Sequence, residues 1–206
     1  MLRKFKREAV SNRCNCTMGS ARPSEVRDHA SAMPRFDQTC ARCDVYTFKE
    51  GLLSAAAHDL RIAVTRFSID LDVDSPSATA TFDARSLKTA AAMRGAVEMP
   101  EALSDRDRRT IDRHIVDDVL LSARHPEISF VTTRVVALDG GWTATGTLTM
   151  LGRAHPIALD VRRERGALLI EGSLRQSDFG IRPFTAMLGT LKVRSEVRVK
   201  VVIQIG

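Results

Sequence analysis

The stretch LKVRSEVRVKVVIQI, residues 191 to 205, decides the fold. Apolar side chains occupy seven of its eight odd positions, and charged or amide side chains occupy six of its seven even positions. Successive side chains of a strand point to opposite faces of a sheet. This period of two therefore predicts a long antiparallel strand with one face turned inward.

The same period recurs upstream. In residues 67–73, four apolar side chains alternate with Ser68, Asp70 and Asp72, and turn sequences such as 139–141, Asp-Gly-Gly, separate such segments. Nine strands are predicted, at residues 45–48, 60–64, 67–73, 79–82, 128–138, 142–150, 157–161, 168–174 and 191–205. About eight antiparallel strands can close into a barrel whose interior is either filled by side chains or holds one small ligand. The pattern leaves both interiors open.

One region has a helical period. Ser104 is a suitable N-cap for a helix whose other face carries several charged side chains. The apolar face of this helix consists of Ile111, Ile115, Val119 and Leu120. The connection before it, residues 90–103, is long and rich in Ala, so it is either a lid over the barrel mouth or a tether that closes the barrel end. The fold class predicted is all-β, an antiparallel barrel with one inserted amphipathic helix.

The net charge of +6 in 206 residues belongs mainly to the N-terminal segment. Residues 1–43 carry nine Lys and Arg against four Asp and Glu, whereas the remaining chain carries 22 basic and 21 acidic groups. With aromatic residues at only 5% as well, there is little support for a nucleic-acid partner, which needs a basic surface or a stacking platform.

The first 39 residues show no regular period, and we expect a disordered basic tail there, with Met33 as an alternative start. The barrel domain is then predicted at 40–206. All four cysteines lie in the first 43 residues. Two alternatives are open for them. They are either unligated thiols, with Cys40 and Cys43 as a potential redox pair, or the ligands of a four-cysteine metal site. No signal peptide and no apolar run of the roughly 18–20 residues that span a membrane is readable, so the sequence predicts a cytoplasmic protein without stable membrane insertion.

Four short motifs carry a family resemblance. They are FDARSLKT at 82–89, RHPEISF at 124–130, TGTLTMLG at 145–152 followed by His155-Pro156-Ile157, and SDFGI at 177–181. In this order, they make the chain from about 45 to 205 resemble the YceI-like family of lipocalin-like, polyisoprenoid-binding barrels. The resemblance implies an extended barrel around an apolar tunnel for a prenyl or other lipid-like chain, with no catalytic triad. No cofactor is predicted.

Two groups of polar residues could carry chemistry. His58 beside Asp59 could form a dyad, contact a ligand at the tunnel mouth or anchor a loop, although neighbouring residues of a strand point to opposite faces. Asp178 and Arg85 lie in the family-like segments and could fix a ligand head group, or Asp178 could pair with Arg175 or Arg182 at the barrel rim. A metal site built from His58, His114, His125 and His155 lacks ligand spacing, and no metal is predicted.

The apolar candidates for the ligand-binding site are Phe67, Phe82, Leu87, Phe130, Leu148, Phe179 and Ile181. The first functional hypothesis is a non-catalytic carrier for an apolar chain, an isoprenoid or a fatty-acid-like lipid. The alternatives are an enzyme or stress-response sensor that acts on a small lipid-like substrate through His58, and a filled barrel that serves as an interaction domain. A homodimer is left open.

Overall fold

The computed structural model describes residues 33–50, 58–182, 185–186 and 191–205. Cys14, Cys16 and most of the predicted tail lie outside these residues. The described part contains strands β1 (Arg35–Asp37), β2 (Ala41–Glu50), β3 (Asp59–Val64), β4 (Phe67–Leu71), β5 (Ala78–Asp83), β6 (Leu87–Arg94), β7 (Val97–Met99), β8 (Glu127–Leu138), β9 (Gly141–Met150), β10 (Arg153–Glu164), β11 (Ala167–Arg175), β12 (Thr185–Ala186) and β13 (Leu191–Gln204). Helix α1 spans Asp105–Arg113 and continues as a π-helical turn, His114–Val119.

The strands form one curled antiparallel sheet, so the predicted fold class is confirmed. The order of hydrogen-bonded neighbours is β1-β4-β5-β8-β9-β10-β11-β13-β2-β3-β6-β7, with β12 beside β13. All nine predicted strands are present. The alternation that predicted them turns one apolar face of each strand inward.

The two ends of this sheet meet at a corner. β3 runs into β4 and β5 runs into β6 across short bends, one of which is the turn Ala84–Ser86. The N–H of Thr65 donates to the carbonyl of Ser86 (3.1 Å), and the N–H of Asp83 donates to the carbonyl of Arg66 (3.0 Å). These bonds carry the pairing through both bends, so the sheet curls into a lipocalin-like barrel shape.

The helix lies against β6. Arg108 Nη1 donates to the carbonyl of Ala90 (2.7 Å), and the N–H of Thr89 donates to Asp112 Oδ1 (2.6 Å). These bonds fix the helix over β6. The small side chains of Ala91 and Ala92 on this strand are both buried. The apolar face predicted from the helical period therefore points toward the interior of the sheet, where Ile111 and Ile115 line the cavity described below.

The helix begins with the predicted cap. Ser104 Oγ accepts the N–H of Asp107 (3.2 Å), and the Asp107 carboxylate accepts the N–H of Ser104 (3.2 Å). This reciprocal capping box satisfies two backbone donors that a helix start otherwise leaves without partners.

Ser104→Ala should lower the free energy of unfolding by about 1 kcal/mol, because the cap is lost at the start of α1. Ser104→Asp, which keeps an acceptor, should lose much less. Urea unfolding followed by circular dichroism measures both, and equal losses for the two variants would show that the cap does not stabilise this helix.

Two parts of the architecture differ from the sequence prediction. Residues 35–37, placed in the tail, form β1, which pairs with β4 and buries Phe36. The connection at 90–103 is partly a hairpin, since β6 and β7 pair around a turn at Gly95, whose φ is +61°. The chain from 87 to 99 is therefore mostly strand, and neither the lid nor the simple tether describes it.

Candidate functional site

The curled sheet encloses an apolar cavity of about 470 Å³. This volume is within the range of about 300–1,000 Å³ that is typical of small-molecule sites. The wall is built from the inward faces of the strands and from the helix, including Val45, Ile62, Ala144, Leu159, Val199 and Ile115. Of the two interiors that the sequence left open, the structure therefore has the one with space for a ligand.

One end of this cavity is closed by packed side chains. Leu168 of β11 and Ile203 of β13 face each other in the strand register, and both are completely buried. Leu71 is only 1% exposed, and Trp142, the register partner of Val161, packs against the same core. This end of the cavity is therefore apolar.

Six of the ten predicted site residues line the cavity: His58, Phe82, Leu87, Phe130, Leu148 and Ile181. They come from the residue before β3, from β5, β6, β8 and β9, and from the segment after β11, so the fold brings distant parts of the sequence to one surface. Gly146 supports this wall, because the Phe130 ring lies directly on its Cα, where any side chain would overlap the ring.

The other four predicted residues lie elsewhere. Phe67 is buried on the inward face of β4 but is not part of the lining, and its ring centroid lies 6.0 Å from that of its register partner Phe82. Phe179 is 1% exposed and packs edge-on against the His155 ring. Arg85 is exposed in the corner turn, where its N–H donates to Asp83. Asp178 Oδ2 lies 3.9 Å from the Nδ1 of His155, a partner that neither of its two predicted roles included.

His58 and Asp59 diverge, as the alternation of a strand requires. His58 lines the cavity, whereas Oδ1 of Asp59 accepts the N–H of Lys49 at 2.8 Å. The carboxylate thus ties the start of β3 to the end of β2. This contact places His58 at a fixed position beside the cavity and leaves the dyad without geometric support.

The sequence missed two cavity residues that carry charge, Lys49 and Lys192. Lys49 shares the inward face of β2 with Thr47 and Val45. Lys192 borders the cavity near the start of β13, but it keeps the outward position that the alternation of residues 191–205 gives it, since it is exposed and pairs in register with exposed Glu50. The register shift between Val193 and Val197 adds two residues to β13, so Val193 and Val197 both stay on the cavity side.

Cys43 lines the cavity as an apolar group. It is 2% exposed, and burial, with a smaller contribution from neighbouring Asp44, raises the pKa of its thiol to about 12. The thiol is therefore protonated at neutral pH, and a protonated thiol is a poor nucleophile. Cys40 is also buried, with a free thiol, so the burial of the two thiols speaks against the redox pair.

Within residues 33–50, 58–182, 185–186 and 191–205, no three His, Cys, Asp or Glu side chains are grouped closely enough to hold a metal ion. None of the helices in this part of the chain has the length and hydropathy that a transmembrane helix needs.

Comparison with known proteins supports the fold. The model of the YceI-like domain family matches residues 45–205. The structure of BcnA from Burkholderia cenocepacia is similar, with a TM-score of 0.52 at 17% identity, covering 79% of this chain and 94% of that one. A YceI protein from Campylobacter jejuni matches with a TM-score of 0.40 at 15% identity, covering 86% of this chain and 85% of that one. No curated protein matches the sequence.

Proposed function

Because the chain belongs to the YceI-like family, we propose that it is a non-catalytic binding protein for an apolar chain, an isoprenoid or a fatty-acid-like lipid. The observation that carries this proposal is the cavity of about 470 Å³ with its nearly continuous apolar wall. An extended apolar ligand gains free energy by leaving water for such a wall, at about 25 cal/mol per Å² of apolar surface buried.

The six predicted residues that line the cavity are the proposed contacts for the apolar chain of the ligand. The aromatic rings of Phe82 and Phe130 provide the largest apolar surfaces among them. Phe67 and Phe179 support the fold around the site. The proposed ligand is a small molecule, and the near balance of charge outside the tail still argues against nucleic acid as a partner.

Filling the cavity should weaken ligand binding strongly. Ala144 on β9 is 3% exposed and lines the cavity, so Ala144→Phe places a ring where the ligand chain would lie. We expect at least about tenfold weaker binding of hexadecanol, because an added ring of this size excludes the chain and overpacks the wall. Displacement of a neutral fluorescent apolar probe from the full-length protein measures the affinity.

The matched control is Ala158→Phe on the neighbouring strand β10, where the side chain is exposed on the outer face. This variant should bind hexadecanol as the unmodified protein does. Native mass spectra before and after organic extraction add an independent readout, since a bound lipid appears as a stoichiometric mass difference. A protein that carries no such adduct and binds neither hexadecanol nor farnesol would contradict the carrier function.

A further inference from the structure

One part of the cavity wall is a helix instead of a strand. Helix α1 and the π-helical turn after it contribute Ile111, His114, Ile115 and Val119 to the lining, beside strands β5, β6 and β8. In the described chain, β6 pairs with β3 along one side, but on its other side only residues 92–94 pair with a strand, β7. The helix therefore takes the place that a further strand would have beside the first half of β6.

Two charged side chains, four residues apart on one flank of the helix, attach it to this edge of β6. The Asp112 carboxylate accepts the N–H of Thr89 at 2.6 Å. Arg108 donates to the carbonyl of Ala90 at 2.7 Å and to that of Pro100 at 3.0 Å. Ala90 is the residue that the pairing of β6 with β3 passes over. Side chains of the helix thus satisfy backbone groups that strand pairing does not use.

The remainder of the helix is held loosely. No residue of α1 or of the π-helical turn is buried, whereas strands that line the same cavity contribute almost completely buried residues such as Leu71 and Val161. Of the described strands, β6 alone makes extensive contact with α1. Segments with few buried apolar contacts open locally at a lower free energy than the core does. The helix can therefore leave the wall while the strand pairing stays intact.

The cavity reaches the surface beside this helix. His114 lines the cavity, yet its side chain is 50% exposed, and its Nδ1 lies 2.6 Å from Asp118 Oδ2. One ring therefore borders both the cavity and the solvent. It belongs to the π-helical turn His114–Val119, and turns of this kind are rare and occur frequently at functional sites.

We propose that residues 105–119 form a helical gate that opens to admit the apolar ligand to the cavity, and that Arg108 and Asp112 are the anchors that hold the gate closed. This inference rests on the proposed carrier function and adds the route by which the ligand enters. In the closed gate, Ile111 and Ile115 cover the ligand with apolar surface. When the anchors release, the ligand passes beside β6 without breaking a pair of strands.

Such a gate sets the rates of binding and release. Weakening an anchor raises the fraction of molecules in which the gate is open, so association and dissociation accelerate by the same factor. The affinity changes little as long as the closed form remains the main one. A variant that merely damages the cavity wall behaves differently, because it accelerates dissociation alone and lowers the affinity.

Asp112→Ala and Arg108→Ala test the anchors in the full-length protein. Stopped-flow mixing with the neutral fluorescent probe measures association, and a chase with excess hexadecanol measures dissociation. Each variant should raise both rates about tenfold, the factor expected when a hydrogen bond to a charged group is lost. The dissociation constant of the probe should stay within about twofold of its value in the unmodified protein.

Asp117→Ala and Arg109→Ala are the matched controls, since both residues are exposed on the same helical segment. They remove the same charges and should leave both rates unchanged. Asp112→Asn keeps an oxygen that can accept the N–H of Thr89, so its rates should lie between those of Asp112→Ala and those of the unmodified protein. Hydrogen exchange gives a readout without ligand, because the amides of residues 108–119 should exchange faster in Asp112→Ala while those of β9 and β10 stay protected.

The outcomes separate this inference from the carrier function. Probe binding at rates that neither anchor variant changes overturns the gate while the carrier function stands, and entry then lies elsewhere, for example beside exposed Lys192 at the border of the cavity. Rates that the control variants raise equally reflect the charge of the helix and also overturn the gate. A loss of affinity without faster association overturns it as well, since the anchors then only support the wall. If the probe, hexadecanol and farnesol all fail to bind, both proposals are wrong.

Discussion

Phe179→Ala should lower the free energy of unfolding by about 3–5 kcal/mol, the usual cost of removing a fully buried aromatic ring. The ring is 1% exposed and packs edge-on against His155, with 6.0 Å between the ring centroids. It lies in the turn Gln176–Phe179, which ends at Gly180 with a φ of +76°. Because the backbone there is fixed by the turn, neighbouring groups cannot easily close the space that the ring leaves.

Urea unfolding measures this loss, and Phe48→Ala is the control. Phe48 is half-buried on β2 with the Arg198 guanidinium 5.3 Å from its ring centre, so its removal should cost much less, about 1 kcal/mol. Phe179→Ala should also retain the affinity for hexadecanol where the variant is folded. Equal losses of stability in the two variants, or a selective loss of affinity in Phe179→Ala, would contradict a purely structural role.

Asp44→Ala should lower the free energy of unfolding by about 3 kcal/mol, because it leaves a largely buried arginine without its main partner. The Asp44 side chain is 1% exposed, and its Oδ1 lies 2.9 Å from Nη1 of Arg61, which is 16% exposed. Arg42 approaches the other oxygen at 2.8 Å. The loss should lie at the lower end for buried pairs, since Arg61 keeps Glu98 at 3.0 Å.

The exposed pair Arg35 and Asp70 provides the comparison. Two hydrogen bonds of 2.8 and 3.0 Å join these side chains, but Arg35 is 68% exposed. Asp70→Ala should therefore cost less than about 1 kcal/mol, as is typical of surface ion pairs. Should Asp44→Ala cost no more than Asp70→Ala in the same urea titration, burial would add nothing to the ion pairs around Asp44.

Most of the fold could be predicted from the sequence because its physical cause is local. A strand with one face inside must alternate, and residues 67–71 or 191–204 do so wherever the partner strands are. The cap at Ser104 is equally local, since the groups that satisfy it lie within one turn.

The parts that could not be predicted depend on partners distant in sequence. In β6 the alternation is lost after the first five residues, since residues 91, 92 and 93 are consecutively buried. Its two faces are both covered because the helix packs on it. β1 contains a single buried residue, Phe36, and forms only because β4 offers a free edge.

The residues of the candidate site also fall into those that could be predicted from the sequence and those that could not. Apolar wall residues such as Phe82 and Phe130 were found because apolar residues in the family-like strands are natural candidates for the interior. Lys49 and Lys192 were missed because lysines near strand ends usually meet solvent. Only the arrangement of β2, β3 and β13 shows that these lysines share one end of the cavity.

The pairing of β2 with β13 has a consequence for how the protein folds. From β8 to β11, each strand pairs with the next along the chain, so these hairpins close short loops. β2 pairs residues 41–50 with residues 192–203, which brings together segments from opposite ends of the domain. Closing so long a loop costs more chain entropy and slows folding. This seam should therefore form late, and the cavity is completed only when β13 has paired with β2.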